Sequence, residues 1–100
     1  MEYSSQVDGN TGVFSFRGKF SFADNDQARN IISEIKGGSY SICAIDLEGL
    51  ESIDSAGLGM LLLINDSSDE MGKSMELRGA SGQVQKMLEI SKFGEVLTIR

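Results

Sequence analysis

The side chains best placed to do chemistry in this sequence are gathered between residues 46 and 60: Asp46, Glu48, Glu51, Ser52, Asp54 and Ser55, followed at once by Ala56, Gly57, Leu58 and Gly59. What they can do is bounded by what the chain lacks. Its 100 residues include no His, no Trp, no Pro and a single Cys. The commonest general base and the commonest transition-metal ligand are therefore missing, and no prolyl bond can act as a slow switch. No catalytic residue, no metal site and no cofactor is assigned. A phospho-acceptor role for Asp54, at a strand end, would need an acidic cluster near the start of the chain, where only Glu2 and Asp8 stand, and a lysine near a later strand end. Gly57-Leu58-Gly59 alone is too weak a signature for a nucleotide, and no small-molecule substrate is expected.

Ser55 carries the more informative chemistry. A buried strand leaves the sheet, passes a short acidic loop and enters a helix at Asp54-Ser55, with Ser55 read as the N-cap whose hydroxyl accepts from first-turn amides. The start of a helix carries about half a positive charge, so a phosphate on Ser55 would meet N–H donors at close range. Ala56, Gly57 and Gly59 read as small residues that keep this end open to something large. Glycine inside a helix costs roughly 1 kcal/mol relative to alanine, which favours an approach surface over simple close packing for Gly57 and Gly59.

Composition restricts the partners. A formal net charge of -6 opposes nucleic acid and anionic membranes, and the nine Lys and Arg residues are scattered. The apolar run at residues 60–64 is too short to span a bilayer, and the N-terminal residues lack the basic and apolar regions of a signal peptide, so a cytoplasmic protein without membrane insertion is expected. Cys43 lies in an apolar run and reads as a small core residue. With 40% hydrophobic and 24% charged residues the chain reads as one folded domain over residues 1–100.

The elements that position Ser55 follow from periodicity and punctuation. Residues 3–7 and 13–17 flank Asp8-Gly9-Asn10-Thr11-Gly12 and predict a hairpin. Ala28, Ile31, Ile32 and Ile35 share one face of a helix over residues 24–36, ended by Lys36-Gly37-Gly38. Residues 42–47 read as a strand covered on both faces. A second helix is predicted over residues 55–70; Lys73 just beyond it is expected to offset the acidic end formed by Asp66, Asp69 and Glu70. A strand at residues 74–78, a helix at 81–91 and a last strand at 96–99 complete the order ββαβαβα plus a short final strand. Two crossovers are βαβ units, which require parallel neighbours. The fold class is therefore α/β, a mixed sheet of about four to five strands with helices mainly on one face. Met60, Met71, Met75 and Met87 read as packing residues, and Phe93 as a staple between the last helix and strand.

The motif Asp54-Ser55-Ala56-Gly57-Leu58-Gly59, arriving from Ile45-Asp46-Leu47 and followed by Met60-Leu61-Leu62, resembles the STAS domain of bacterial anti-sigma factor antagonists. Phe14-Ser15-Phe16-Arg17-Gly18-Lys19-Phe20 and Lys73-Ser74-Met75-Glu76-Leu77 extend the resemblance over essentially the whole chain. It implies the antagonist-like STAS fold and a partner-switching function. The serine matching Ser55 would be phosphorylated by a cognate serine kinase, often itself the anti-sigma factor, and dephosphorylated by a dedicated serine phosphatase. The unphosphorylated form would bind the kinase. The docking face implied comprises Ser21, Asp24, Asp54, Ser55, Ala56, Gly57 and Gly59. One departure stands out: phosphorylated members usually carry an aspartate where Ser21 stands here, with Asp24 and Asp26 only slightly later. The resemblance also admits a STAS scaffold that works in a signalling or lipid-transport complex without phosphorylation.

Overall fold

The computed structural model describes residues 1–95 and 97–99. Its first unit is the expected hairpin. β1 (Glu2–Asp8) and β2 (Thr11–Phe20) pair antiparallel around Gly9-Asn10, and Gly9 takes the positive φ of 61° that a two-residue connection needs. A single 3-10 turn, Phe22–Asp24, leads into α1 (Asn25–Gly37). β3 (Ile42–Ile53), α2 (Ser55–Glu70), β4 (Ser74–Arg78) and α3 (Gly82–Ile90) follow, then a second 3-10 turn, Phe93–Glu95, and β5 (Thr98–Ile99). Val96, expected to open the last strand, lies outside the described residues.

The strands stand in the order β1-β2-β3-β4-β5, antiparallel at the first pair and parallel at the other three. Each parallel pair is bridged by one helix, so the chain has three βαβ crossovers where the sequence indicated two. The larger correction concerns β3. It continues to Ile53, and the stretch read as an acidic loop is strand: Gly49, Leu50, Ser52 and Ile53 pair with Arg17, Gly18, Lys19 and Phe20 across one register shift, with a second just before them. β2 is correspondingly longer than expected at both ends.

Alternation along the strands separates the faces. Phe14 and Phe16 of β2, Cys43, Ile45 and Leu47 of β3, and Leu77 of β4 join Ala28, Ile31 and Ile35 of α1, Leu61 and Ile64 of α2, and Val84 and Leu88 of α3 in one buried cluster. The opposite face presents Ser4, Gln6, Ser74 and Arg78 to solvent. Cys43 is fully buried, as expected, and its thiol is pushed above the usual thiol range chiefly by that burial. Met60 and Met75 are core residues, Met71 and Met87 pack against the core, and Phe93 is buried beneath the last turn.

Lys73 does not serve the acidic end of α2. Its Nζ donates to the Ile35 and Gly38 carbonyls, both at 2.7 Å, and lies 4.4 Å from the centroid of the Tyr40 ring. A cation brought from β4's entry thus closes the C-terminal end of α1, where unpaired carbonyls gather negative charge.

Candidate functional site

β2 and β3 end side by side, and this fixes the tip of α2. Phe20 pairs with Ile53, and the Phe20 carbonyl accepts from the Asp54 amide at 3.2 Å. The last residue of β3 is also clamped from α3. Gln83 Oε1 accepts from the Ile53 amide at 2.9 Å and its Nε2 donates to the Ile53 carbonyl at 3.0 Å, so one side-chain amide imitates a neighbouring strand. Between these two ties the chain has one way to leave the sheet.

It leaves through Asp54, which is the N-cap in place of Ser55. Asp54 has extended backbone, and its Oδ1 accepts from the Gly57 amide at 2.8 Å while its carbonyl accepts from Leu58 at 3.0 Å. A carboxylate is as good a cap as a hydroxyl and also answers the positive end of the helix. Ser55 becomes the first residue of α2, and its side chain is exposed. Among the described residues, the amides of Ser55 and Ala56 have no protein acceptor, whereas that of Gly57 is taken.

The two helix glycines part company. Gly57 is buried, and a Cβ there would stand 2.7 Å from both the Phe20 carbonyl oxygen and Ile53 Cγ1. It is a close-packing glycine, contrary to its reading as part of an open surface. Gly59, one turn beyond Ser55, is exposed with nothing within 4 Å of where its Cβ would be. Ala56 is half-buried between them.

The turn after β2 borders this tip. Asp24 is buried: its Oδ2 accepts from the Ser21 amide at 2.8 Å and its Oδ1 pairs with the Met1 amine at 2.9 Å. The Ser21 carbonyl in turn accepts from the Asp24 amide at 2.9 Å. Asp24 therefore braces the turn from within, and Asp26 is the exposed carboxylate of this segment. The brace holds Phe22 outward, 79% exposed, immediately beyond the strand end that supports α2. Of the expected docking residues, Asp54, Ser55 and Gly59 are exposed, Ser21 and Ala56 are half-buried, and Gly57 and Asp24 are buried.

Sequence reasoning placed the loop from Gly18 to Asp24 in the working surface without singling out Phe22, and it missed Gln83. Phe22 is an aromatic between Ser21 and Ala23 in a turn, which is a readable signal; a Gln in a polar helix start carries none. No group of three His, Cys, Asp or Glu side chains among the described residues is placed to hold a metal ion, and no helix is long and apolar enough to cross a membrane.

A five-stranded mixed sheet backed by three helices, with a serine at an exposed helix tip, defines a domain of the α/β class. The chain belongs to the STAS domain family, whose model matches residues 2–100. A curated relative, the STAS-domain containing protein PA14_20770 of Pseudomonas aeruginosa (strain UCBPP-PA14), is 28% identical over 93 residues, covering 93% of this chain and 91% of the relative. The fold is that of anti-sigma factor antagonists. A putative one from Thermotoga maritima superposes with a TM-score of 0.87 at 17% identity, over 97% of this chain and 84% of the other. The anti-sigma factor antagonist SpoIIAA, in its unphosphorylated form, superposes with a TM-score of 0.75 at 21% identity, over 99% and 87%. The phosphorylated form of SpoIIAA, a Bacillus cell fate determinant, gives a TM-score of 0.73 at 20% identity, over 99% and 91%.

Proposed function

We propose that this chain is a cytoplasmic, non-catalytic partner-switching protein of the anti-sigma factor antagonist kind. Its docking face is the tip of α2 with the braced turn beside it. The unphosphorylated form binds a serine kinase that doubles as an anti-sigma factor, phosphorylation of Ser55 ends that complex, and a serine phosphatase restores it. The observation that carries this reading is the exposed Ser55 hydroxyl on a helix start that Asp54 already caps.

The placement determines how a phosphate would act. It adds about -1.5 to -2 charges beside the Asp54 carboxylate, which holds the Gly57 amide. Only the Ser55 and Ala56 amides remain to receive it, so it stays on the surface as unneutralised charge and leaves the helix as it was. Glu51 and Asp54 are exposed nearby and add to the field. A like-charge clash at an interface costs several kcal/mol, and about 3 kcal/mol is a loss of roughly a hundredfold in affinity.

The scaffold reading keeps one observation in its favour. Ser21 is neutral, and Asp24, the nearest carboxylate that could replace an aspartate there, is engaged inside the turn. Phosphorylation separates the two. Incubating the protein with the serine kinase encoded beside its gene, then mapping phosphate by mass spectrometry, should find it on Ser55 and not in Ser55→Ala; an unmodified protein would favour the scaffold.

A further inference from the structure

We infer that β1 is a self-association edge, along which a second copy of this chain adds antiparallel to make one continuous sheet. Among the described residues, β1 forms one end of the sheet and pairs only with β2. An unpaired edge normally carries a lysine, a proline, a bulge or a cover, or is very short. β5, the opposite edge, has two described residues. β1 has seven residues, Glu2-Tyr3-Ser4-Ser5-Gln6-Val7-Asp8, in unbroken register with β2, and its middle five are uncharged. It is exposed along its length except at Tyr3, and Val7 is 63% exposed.

Charge and pleat choose the register. A sheet that continues through a two-fold axis needs facing residues on the same side of the pleat, so the axis passes through a residue. An axis at Ser5 sets Glu2 against Asp8 of the other copy, twice, and like charges directly opposite are destabilising. An axis at Gln6 sets Val7 against Ser5 and leaves it uncovered. An axis at Ser4 sets Glu2 against Gln6 and Tyr3 against Ser5, leaves Asp8 beyond the ladder, and brings Met1 of one copy over Val7 of the other. A cavity of about 350 Å³ lined by Val7, Phe14 and Tyr40, among others, runs beside this edge, so the added strand also walls it. The surface meets the α2 docking face only at Met1, whose amine pairs with Asp24, and the proposal stands whether or not Ser55 is phosphorylated.

Cysteine placement tests it, against a background in which the single native thiol, Cys43, is fully buried. Ser4→Cys on the axis faces its own copy across the ladder, where Cβ atoms approach to about 4.5 Å, the upper end of the disulfide range, and should close an intermolecular disulfide under mild oxidation. Gln6→Cys lies four residues from its copy along the ladder and should not. In sedimentation, the unmodified protein should show a concentration-dependent dimer at high micromolar concentration. Ser4→Glu, an exposed substitution that sets two carboxylates face to face, should weaken the dimer about tenfold with an unchanged circular dichroism spectrum. A protein that stays monomeric at millimolar concentration overturns the proposal. So does a dimer that Ser4→Glu leaves intact, or one that Gln6→Cys cross-links as readily as Ser4→Cys.

Discussion

Replacing each helix glycine by alanine should move stability in opposite directions. At Gly59 the new methyl meets nothing within 4 Å, and alanine in a helix interior is favoured by roughly 1 kcal/mol. Gly59→Ala is therefore expected to stabilise by about 1 kcal/mol, a rise in melting temperature of about 4–8 °C for a domain of this size. At Gly57 the same methyl would stand 2.7 Å from the Phe20 carbonyl oxygen, a backbone atom with no rotamer to escape into. Overpacking of that kind costs typically 1–3 kcal/mol, and about 1 kcal/mol of helical preference offsets part of it. Gly57→Ala should thus lose about 1 kcal/mol. The gap of about 2 kcal/mol between the variants is readable by thermal and urea unfolding followed by circular dichroism. Equal stabilisation by both would refute the close packing of α2 on the end of β2. Under the proposed function, a glycine that weakens its own helix with no packing reason leaves room for a partner. Gly59→Ala should therefore bind the kinase more weakly while folding more stably.

Lys73→Met should destabilise by about 2 kcal/mol, because two charge-assisted bonds to the α1 carbonyls and the contact with Tyr40 disappear together; an unchanged urea midpoint would contradict this cap. Gln83→Ala should cost about 1–2 kcal/mol by leaving the buried Ile53 backbone without partners, and amide exchange at Ile53 should accelerate. Burial first, and then the bond to Glu34, push the Tyr3 phenol from 10.0 up to about 12. The folded state holds that proton more tightly, so its contribution to stability is complete below pH 10.0 and is lost as pH rises towards about 12. Ultraviolet titration of phenolate should show this late step, and Glu34→Gln should bring it down without returning it to the ordinary value.

Most of the scaffold was legible because local signals agreed with the packing. Gly9-Asn10 between alternating strands marks the hairpin, and the spacing of Ala28, Ile31 and Ile35 marks the buried stripe of α1. The far half of β3 was not legible. Glu48-Gly49-Leu50-Glu51-Ser52 is rich in charge and contains glycine, both poor in strands, and it is extended because β2 runs beside it. Gly49 sits where a Cβ would be 2.9 Å from the Phe16 carbonyl, which only the paired strand explains. The cap was ambiguous for a different reason. Asp54 and Ser55 are both good N-caps, and the choice is made by where the sheet lets go, at Ile53, which Phe20 and Gln83 hold from either side. Asp24 could be seen as a carboxylate near the site, yet its inward direction depends on the turn it braces.

The central claim is that charge on Ser55 alone decides whether this surface binds. Calorimetric titration of the cognate kinase with the unmodified protein, Ser55→Ala and Ser55→Asp tests it directly. The first two should bind alike, and Ser55→Asp should bind roughly a hundredfold more weakly with the same melting temperature and amide spectrum away from α2. Binding of Ser55→Asp at the unmodified affinity, or a loss explained by unfolding, would contradict the account.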